Sequence, residues 1–280
     1  GGGDEYWVKG GGHGNYALIV QSVKDAYNAA KAQGYDTVSI DGLMYLQGES
    51  NTHGGTTVQT NYTAFLTNLY TDLLMAGIPG SAILFNGNSV LGEPATWNQT
   101  DTSLGGESNA GDTHTQLENL AASRDDIGFV YTRDLDKITS GDTMGVHYNG
   151  ESQITIGARY AYAFAVQNGI DVGQVRGSND QVALTDAAAW WNATAPDAST
   201  VLEWDISSVS TPSKAAAAAG YGNYIAGGAT LNAKGITVNG AYKECVTING
   251  GTVSLGAGGI NLVGGDLAIT SAVSARATQT

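Results

Sequence analysis

Apolar positions in the first part of the chain follow two alternating periods. A spacing of i, i+3 and i+4 predicts amphipathic helices, and they cover residues 16–33, 61–76, 115–123 and 150–167. Short apolar runs between the helices predict strands at 38–46, 81–85 and 128–132. Helices that alternate with short strands indicate a parallel sheet covered by helices. The polar stretch 86–113 is predicted to be a long loop, which in a compact domain is usually functional or mobile.

The pattern changes after about residue 170, where helical periodicity is lost and Ala, Gly, Thr, Asn and Ser dominate. Short alternating runs bounded by Gly or Asn occur at 230–232, 235–239, 245–249, 251–255, 259–263 and 266–270. A spacing of roughly ten residues is typical of a sandwich or a solenoid. The Gly-Gly turns and the Thr/Asn-rich faces favour a right-handed parallel β-solenoid over a sandwich or a low-complexity linker. We therefore predict an α/β domain over 1–170, a linker over 171–200 and an all-β segment over 201–280 that continues beyond Thr280.

Composition excludes several classes of partner. The chain of 280 residues has a net charge of −14 and a pI near 4.4, which argues against nucleic acid and anionic membrane surfaces. No apolar run is long enough to span a membrane, and the single cysteine, Cys245, has no partner for an internal disulfide. The histidines His13, His53 and His114 are not spaced as metal ligands and are predicted to be exposed loop residues. We therefore expect no cofactor and no metal, and the sequence leaves the oligomeric state open.

Two polar patches carry the candidate chemistry. The apolar strand 38–46 ends in Gln47-Gly48-Glu49-Ser50-Asn51, and Gly145-Val146-His147-Tyr148 precedes the last predicted helix. Both patches follow predicted strands, so we expect them at the same edge of the sheet. His147 is then a candidate general base rather than a surface or capping residue, and Glu49 or Asp142 is a candidate to orient its imidazole.

The segments 46–51 and 146–161 resemble two sequence blocks of the SGNH hydrolases. The first resembles the third block of the sialate O-acetylesterase and carbohydrate acetylesterase branch, and the second resembles its last block, a catalytic His that leads into the C-terminal helix. The resemblance covers residues 5–168. It implies a flavodoxin-like, three-layer α/β/α fold and the hydrolysis of acetyl esters on sugars, so an acetylated carbohydrate is the expected partner.

The resemblance also implies a division of roles among the site residues. His147 is the implied catalytic base, and Glu49 is favoured over Asp142 as the acid, because Met144 stands where many SGNH enzymes have Asp. The implied oxyanion and substrate-binding residues are Gln47, Gly48 and Asn51.

The family's nucleophilic serine lies in a Gly-Asp-Ser or Gly-Gln-Ser block before the Gln-Gly-Glu motif, and this chain has no such block. The chain begins with Gly-Gly-Gly and not with Met, so we expect a fragment or a processed chain. We expect the serine to precede Gly1, and the chain by itself to be nearly inactive. Asn86-Gly-Asn-Ser89 imitates the block in the wrong order, so Ser89 is not favoured as the nucleophile.

The last 80 or so residues resemble a second family. Glu203-Trp-Asp and the runs 246–260 and 266–270 resemble autotransporter-associated β-strand repeats, which implies export and display at the bacterial surface on a β-helical stalk. For Trp190, Trp191 and Trp204, packing is favoured over a sugar-binding platform. An alternative function is then a catalytically inactive, SGNH-like passenger or adhesin, and a general lipase or thioesterase is less favoured.

Overall fold

The structure is a computed structural model. It describes residues 7–11, 14–47, 57–93, 107–132, 134–138, 147–179, 181–209, 222–242, 244–269 and 272–275. The chain divides into two compact units. The first unit comprises Gly1–Phe129 and Ile138–His147, and the second comprises Val130–Lys137 and Tyr148–Thr280.

The first unit contains a three-stranded sheet and three helices among its described residues. The helices are α1 (Asn15–Ala32), α2 (Thr57–Met75) and α3 (Glu107–Ala122). The strands are β1 (Leu43–Tyr45), β2 (Ser89–Gly92) and β3 (Ile127–Val130), in the order β1-β2-β3. Strands β1 and β2 are parallel, with Leu43 opposite Ser89 and Tyr45 opposite Leu91. These elements fit the α/β domain that the sequence predicts.

The core of the first unit lies under α2. Its residues Tyr62, Phe65, Leu69 and Leu73 recur at helical spacing and are buried. All four residues of β2 are buried as well. The apolar stripe that predicted α2 is therefore the face that packs into the core, and burying each large apolar side chain contributes about 1.5–3 kcal/mol.

The strand predicted at 81–85 is wrong. Two short 3-10 turns, Gly80–Ala82 and Phe85–Gly87, lie there instead, and only an isolated bridge joins Ile40 to Ile83. The strand itself is β2, inside the stretch 86–113 that was predicted to be a loop, and α3 begins in the same stretch. The apolar signal of β2 is only Val-Leu between Ser and Gly, so the Asn and Gly residues around it obscured the strand.

The second unit contains one long helix, α4 (Gly150–Gln167), and two parallel sheets among its described residues. The strands are β4 (Val201–Trp204), β5 (Thr230–Val238), β6 (Cys245–Ile248), β7 (Thr252–Leu262), β8 (Asp266–Ile269) and β9 (Ala272–Ala275). One sheet has the order β4-β5-β7-β9, and the other pairs β6 with β8. The predicted helix 150–167 agrees with α4 residue for residue.

Three of the four strand pairs described in the second unit join strands that are about 20 residues apart in sequence, whereas β4 and β5 are further apart. Leu231 of β5 pairs with Val253 of β7, and Cys245 of β6 pairs with Asp266 of β8, all in parallel. The alternating side chains of these strands form a second core. The prediction of short parallel strands is thus confirmed, whereas the solenoid stays a prediction.

The segment 171–200, predicted to be a linker, takes part in this second core. Leu184 and Trp190 are buried there together with Trp204. The indole of Trp190 meets that of Trp204 edge to face, with ring centroids 5.8 Å apart. These aromatic side chains therefore pack, as favoured from the sequence. Helix α4 also belongs to the second unit, whereas the predicted domain boundary follows that helix.

Candidate active site

Gln47 lies just beyond the carboxyl end of β1. Its side chain is partly buried, and its amide oxygen accepts a hydrogen bond from the hydroxyl of Tyr45 at 3.3 Å. A developing oxyanion needs a donor, and the donor of this amide is its NH2 group. The role of Gln47 as an oxyanion-binding amide stays a prediction.

Aromatic packing fixes the side chain that holds Gln47. The ring of Tyr45 packs edge to face on Tyr62, with centroids 4.7 Å apart, and also contacts Phe65. Burial raises the pKa of Tyr62 above its ordinary value, so this ring stays neutral at physiological pH. Tyr45 is thus packed with Tyr62 and Phe65 in the core of the first unit.

His147 lies two residues before the residue that caps α4. Its side chain is partly buried, and its backbone carbonyl accepts a hydrogen bond from the N–H of Ile138 at 2.9 Å. The next residue, Tyr148, forms an isolated antiparallel bridge with Lys137. These backbone contacts tie the chain on both sides of His147 to the segment 134–138, whereas His147 itself is only partly buried.

The start of α4 is capped by a side chain. The Oδ1 atom of Asn149 accepts a hydrogen bond from the N–H of Ser152 at 2.8 Å. The amide of Gln153 donates to the carbonyl of Tyr148 at 3.0 Å, and the N–H of Asn149 donates to the carbonyl of Asp136 at 3.2 Å. The residues that follow His147 are therefore tied both to the helix and to the segment 134–138.

The other predicted site residues lie outside the described residues. These are the candidate acids Glu49 and Asp142 and the candidate oxyanion residues Gly48 and Asn51. Their roles stay predictions. Ser89 is described, and it is buried at the start of β2, where its hydroxyl donates to the carbonyl of Phe85 at 2.7 Å. A buried hydroxyl at the amino end of a strand is badly placed for a nucleophile, in agreement with the order of the motifs.

The structure adds a pair that the sequence did not indicate. Glu93 directly follows β2, and its side chain is fully buried. Its Oε1 atom lies 2.5 Å from Nδ1 of His114, which is on α3. The expectation that His114 is an exposed loop residue is therefore wrong. It was drawn from the polar residues around position 114, and helical periodicity is weak there because Thr113 and Gln116 are polar yet buried.

The second unit contains a cavity of about 170 Å³ with an acidic wall. Four carboxylates line it, those of Asp134, Asp136, Glu151 and Glu244. Partial burial and the three neighbouring carboxylates raise the pKa of Glu244 above its ordinary value.

Within the residues that the structure describes, no group of His, Cys, Asp or Glu side chains is arranged to hold a metal ion. Over the same part of the chain, no helix is both long and apolar enough to cross a membrane.

The first unit thus has the geometry of an α/β domain that collects polar groups at the carboxyl edge of its sheet. A family model described as carbohydrate esterase, sialic acid-specific acetylesterase, matches residues 1–166. The match covers more than half of the chain, so the chain belongs to this carbohydrate esterase family. At the family level, the activity is that of an esterase that acts on acetylated carbohydrates. Comparisons with curated proteins and with solved structures give no match.

Proposed function

We propose that this protein hydrolyses O-acetyl esters on a carbohydrate, with sialic acid as the leading class of sugar, by a Ser-His-acid mechanism. The observation that carries the proposal is the family match over residues 1–166. The positions of Gln47 at the carboxyl edge of the sheet and of His147 before a capped helix support it.

In the proposed reaction, His147 takes the proton of a serine hydroxyl as that oxygen attacks the acetyl carbonyl. The C–O bond to the sugar then breaks, and His147 returns the proton to the sugar oxygen. Water hydrolyses the acetyl-enzyme in the same way. Glu49, or Asp142 in its place, holds the imidazole in one tautomer, and the NH2 of Gln47 with backbone N–H groups near Gly48 and Asn51 stabilises the oxyanion.

The nucleophilic serine is the member of the proposed triad that no residue of this chain is assigned to. Ser89 is buried at the amino end of its strand and is not proposed as the nucleophile; we propose that a serine outside residues 1–280 supplies it. The consequence is testable, because a longer product of the same gene should have much higher acetylesterase activity than residues 1–280 alone.

The deciding experiment measures acetate release from O-acetylated sialic acid by the longer product. We expect His147→Gln to lower kcat by about a hundredfold or more, since general base catalysis contributes about 10²–10⁴-fold. Glu49→Gln should lower kcat more than Asp142→Asn if Glu49 is the acid. His13→Gln is the matched control, because it replaces another histidine of the family-matched region, and we expect it to leave kcat unchanged.

Two outcomes would contradict the proposal in different ways. Unchanged turnover in His147→Gln would remove this histidine from the mechanism. A longer product that releases no acetate from any acetylated sugar would instead favour the inactive passenger or adhesin.

We further propose that the second unit is the start of a β-solenoid stalk on a secreted or surface-displayed protein. Parallel pairing between strands about 20 residues apart supports this proposal, as does a net charge of −14. Protease treatment of intact cells of the source organism, followed by immunoblotting, tests it. Complete protection of the protein under conditions that digest a known surface protein would contradict display.

A further inference from the structure

His114 lies between two carboxylates. Its Nδ1 atom is 2.5 Å from Oε1 of Glu93, and its Nε2 atom is 3.5 Å from Oε2 of Glu118, one turn further along α3. The side chains of Glu93 and His114 are 0% and 5% exposed, whereas that of Glu118 is 32% exposed. The short contact is thus buried, and the longer one reaches solvent. Since burying charged or polar groups is costly unless they are paired, the contact between Glu93 and His114 offsets part of the cost of burying them.

Glu93 and His114 lie at the carboxyl end of the three-stranded sheet, where Gln47 also lies. Strands β1 and β2 are parallel, with Tyr45 opposite Leu91. Gln47 follows Tyr45 by two residues and Glu93 follows Leu91 by two, so both come just after the carboxyl ends of neighbouring parallel strands. The ring of His114 also meets Phe129 of β3 edge to face, with centroids 5.9 Å apart. His114 therefore spans two strands beside the candidate site.

A second contact from α3 holds the start of α2. Gln116 lies two residues after His114 and is buried. Its Oε1 atom accepts a hydrogen bond from the N–H of Val58 at 3.0 Å, and its carbonyl accepts one from the side chain of Gln59 at 2.9 Å. One turn of α3 thus fixes both the carboxyl end of β2 and the first turn of α2.

We propose that Glu93 and His114 are positioning residues for the acyl-transfer site. Their pair fixes the carboxyl end of β2 against α3, and this holds Gln47 at the end of the adjacent strand in the place where its amide meets the oxyanion. The proposal rests on the proposed function for its catalytic consequence, but the link from Glu93 to Gln47 is a structural claim that can be tested without turnover.

The test uses two isosteric replacements of His114 in the full-length protein. His114→Asn keeps a donor near the position of Nδ1, facing Glu93, whereas His114→Gln keeps one near Nε2, facing Glu118. We expect His114→Gln and Glu93→Gln to lower kcat by about tenfold or more with little change in KM, because small displacements at a site are costly in rate. We expect His114→Asn to keep most of the activity.

The controls separate positioning from general stability. Glu118→Gln removes the charge of the partly exposed carboxylate beside Nε2 of His114. Asp126→Asn breaks an ion pair with Arg124 just before β3, at the amino end of the sheet. Neither should change kcat. As a readout without turnover, the side-chain amide signal of Gln47, assigned by its loss in Gln47→Leu, should shift in Glu93→Gln and stay in place in Asp126→Asn.

The outcomes are distinguishable. An unmoved Gln47 signal in Glu93→Gln overturns the positioning role, whether or not the protein is active. Equal loss of kcat in His114→Asn and His114→Gln, in proportion to the loss of folded protein, overturns it as well. If the wild-type protein has no esterase activity but the Gln47 signal moves as expected, the proposed function fails and the structural link stands.

Discussion

The guanidinium group of Arg159 meets the carboxylate of Asp134 through two parallel hydrogen bonds of 2.7 and 2.6 Å. Their side chains are almost completely buried in the second unit. The remaining donors of Arg159 bond the carbonyls of Tyr131, Ser207 and Ser208, so all five N–H groups have acceptors. A buried charge pair of this kind stabilises the fold only while both partners are present.

Asp134→Asn should therefore destabilise the second unit strongly. The substitution leaves the Arg159 guanidinium buried without a counter-charge, and we expect a loss of about 3–5 kcal/mol in the free energy of unfolding. Urea unfolding followed by tryptophan fluorescence measures it, since Trp190, Trp191 and Trp204 are buried in that unit. Asp126→Asn is the control: its pair with Arg124 is about a third exposed, so we expect at most about 1 kcal/mol. Equal losses in the two variants would contradict the argument.

The contacts of Asp72 lead us to expect a lower free energy of unfolding in acid. Hydrogen bonds from Lys9 at 2.6 Å and Tyr16 at 2.7 Å lower the pKa of the Asp72 carboxyl. Because the folded-state pKa lies below the unfolded one, the stabilisation is present above the unfolded pKa. It is lost as the pH falls through the folded one.

Asp72→Asn should thus lower Tm at pH 7, by an amount equivalent to less than about 1 kcal/mol because Lys9 is exposed. The ordinary pKa of Asp is about 3.9. Well below that pH, the difference in Tm between Asp72→Asn and wild type should disappear. Thermal unfolding at the two pH values checks this. A difference that persists unchanged in acid would show that the charge is not its cause.

For Glu244 we expect the opposite dependence of stability on pH. Its folded-state pKa is raised by partial burial and by the nearby carboxylates of Asp136, Asp134 and Glu151. Stability is therefore greatest below the unfolded pKa, about 4.3 for Glu, and is lost as the pH rises through the folded pKa. Glu244→Gln should raise the Tm at pH 7 and leave it unchanged at pH values below that window. An equal gain at both pH values would indicate better packing and not relief of repulsion.

Gly264 tests the close approach of successive turns in the second unit. A Cβ atom on Gly264 would lie 2.6 Å from the Cα of Gly240 and 3.1 Å from the carbonyl oxygen of Asn239. Gly264→Ala should therefore cost about 1–3 kcal/mol, since backbone atoms must shift. Gly227→Ala is the matched control, because no atom lies within 4 Å of a Cβ there. Comparable unfolding midpoints for the two variants would contradict the packing of these turns.

The sequence predicted the long elements better than the short ones. Helix α4 was predicted to the residue, because apolar positions such as Ile156 and Tyr160 recur at helical spacing and are buried. Strand β2 was missed, since four buried residues with only Val90 and Leu91 strongly apolar carry too little periodicity. Whether such a strand is buried depends on the neighbouring elements that pack on it, and these are not visible in the local sequence.

The candidate site divides in the same way. Gln47 and His147 are candidates that local motifs suggest, because the strand before Gln47 and the helix after His147 are local features. The pair of Glu93 and His114 could not be found in this way, because the two residues are far apart in sequence and neither lies in a motif.

The sequence by itself determined the helical periodicity, the short alternating strands and the two motifs that resemble those of the esterase family, since these depend on local order and residue type. Only the tertiary structure decided which strands are neighbours, that Asp134 is the partner of Arg159 and that His114 is buried against Glu93. The physical reason is that pairing and burial depend on contacts between distant residues. Such contacts contribute free energy only once folding has brought the distant residues together.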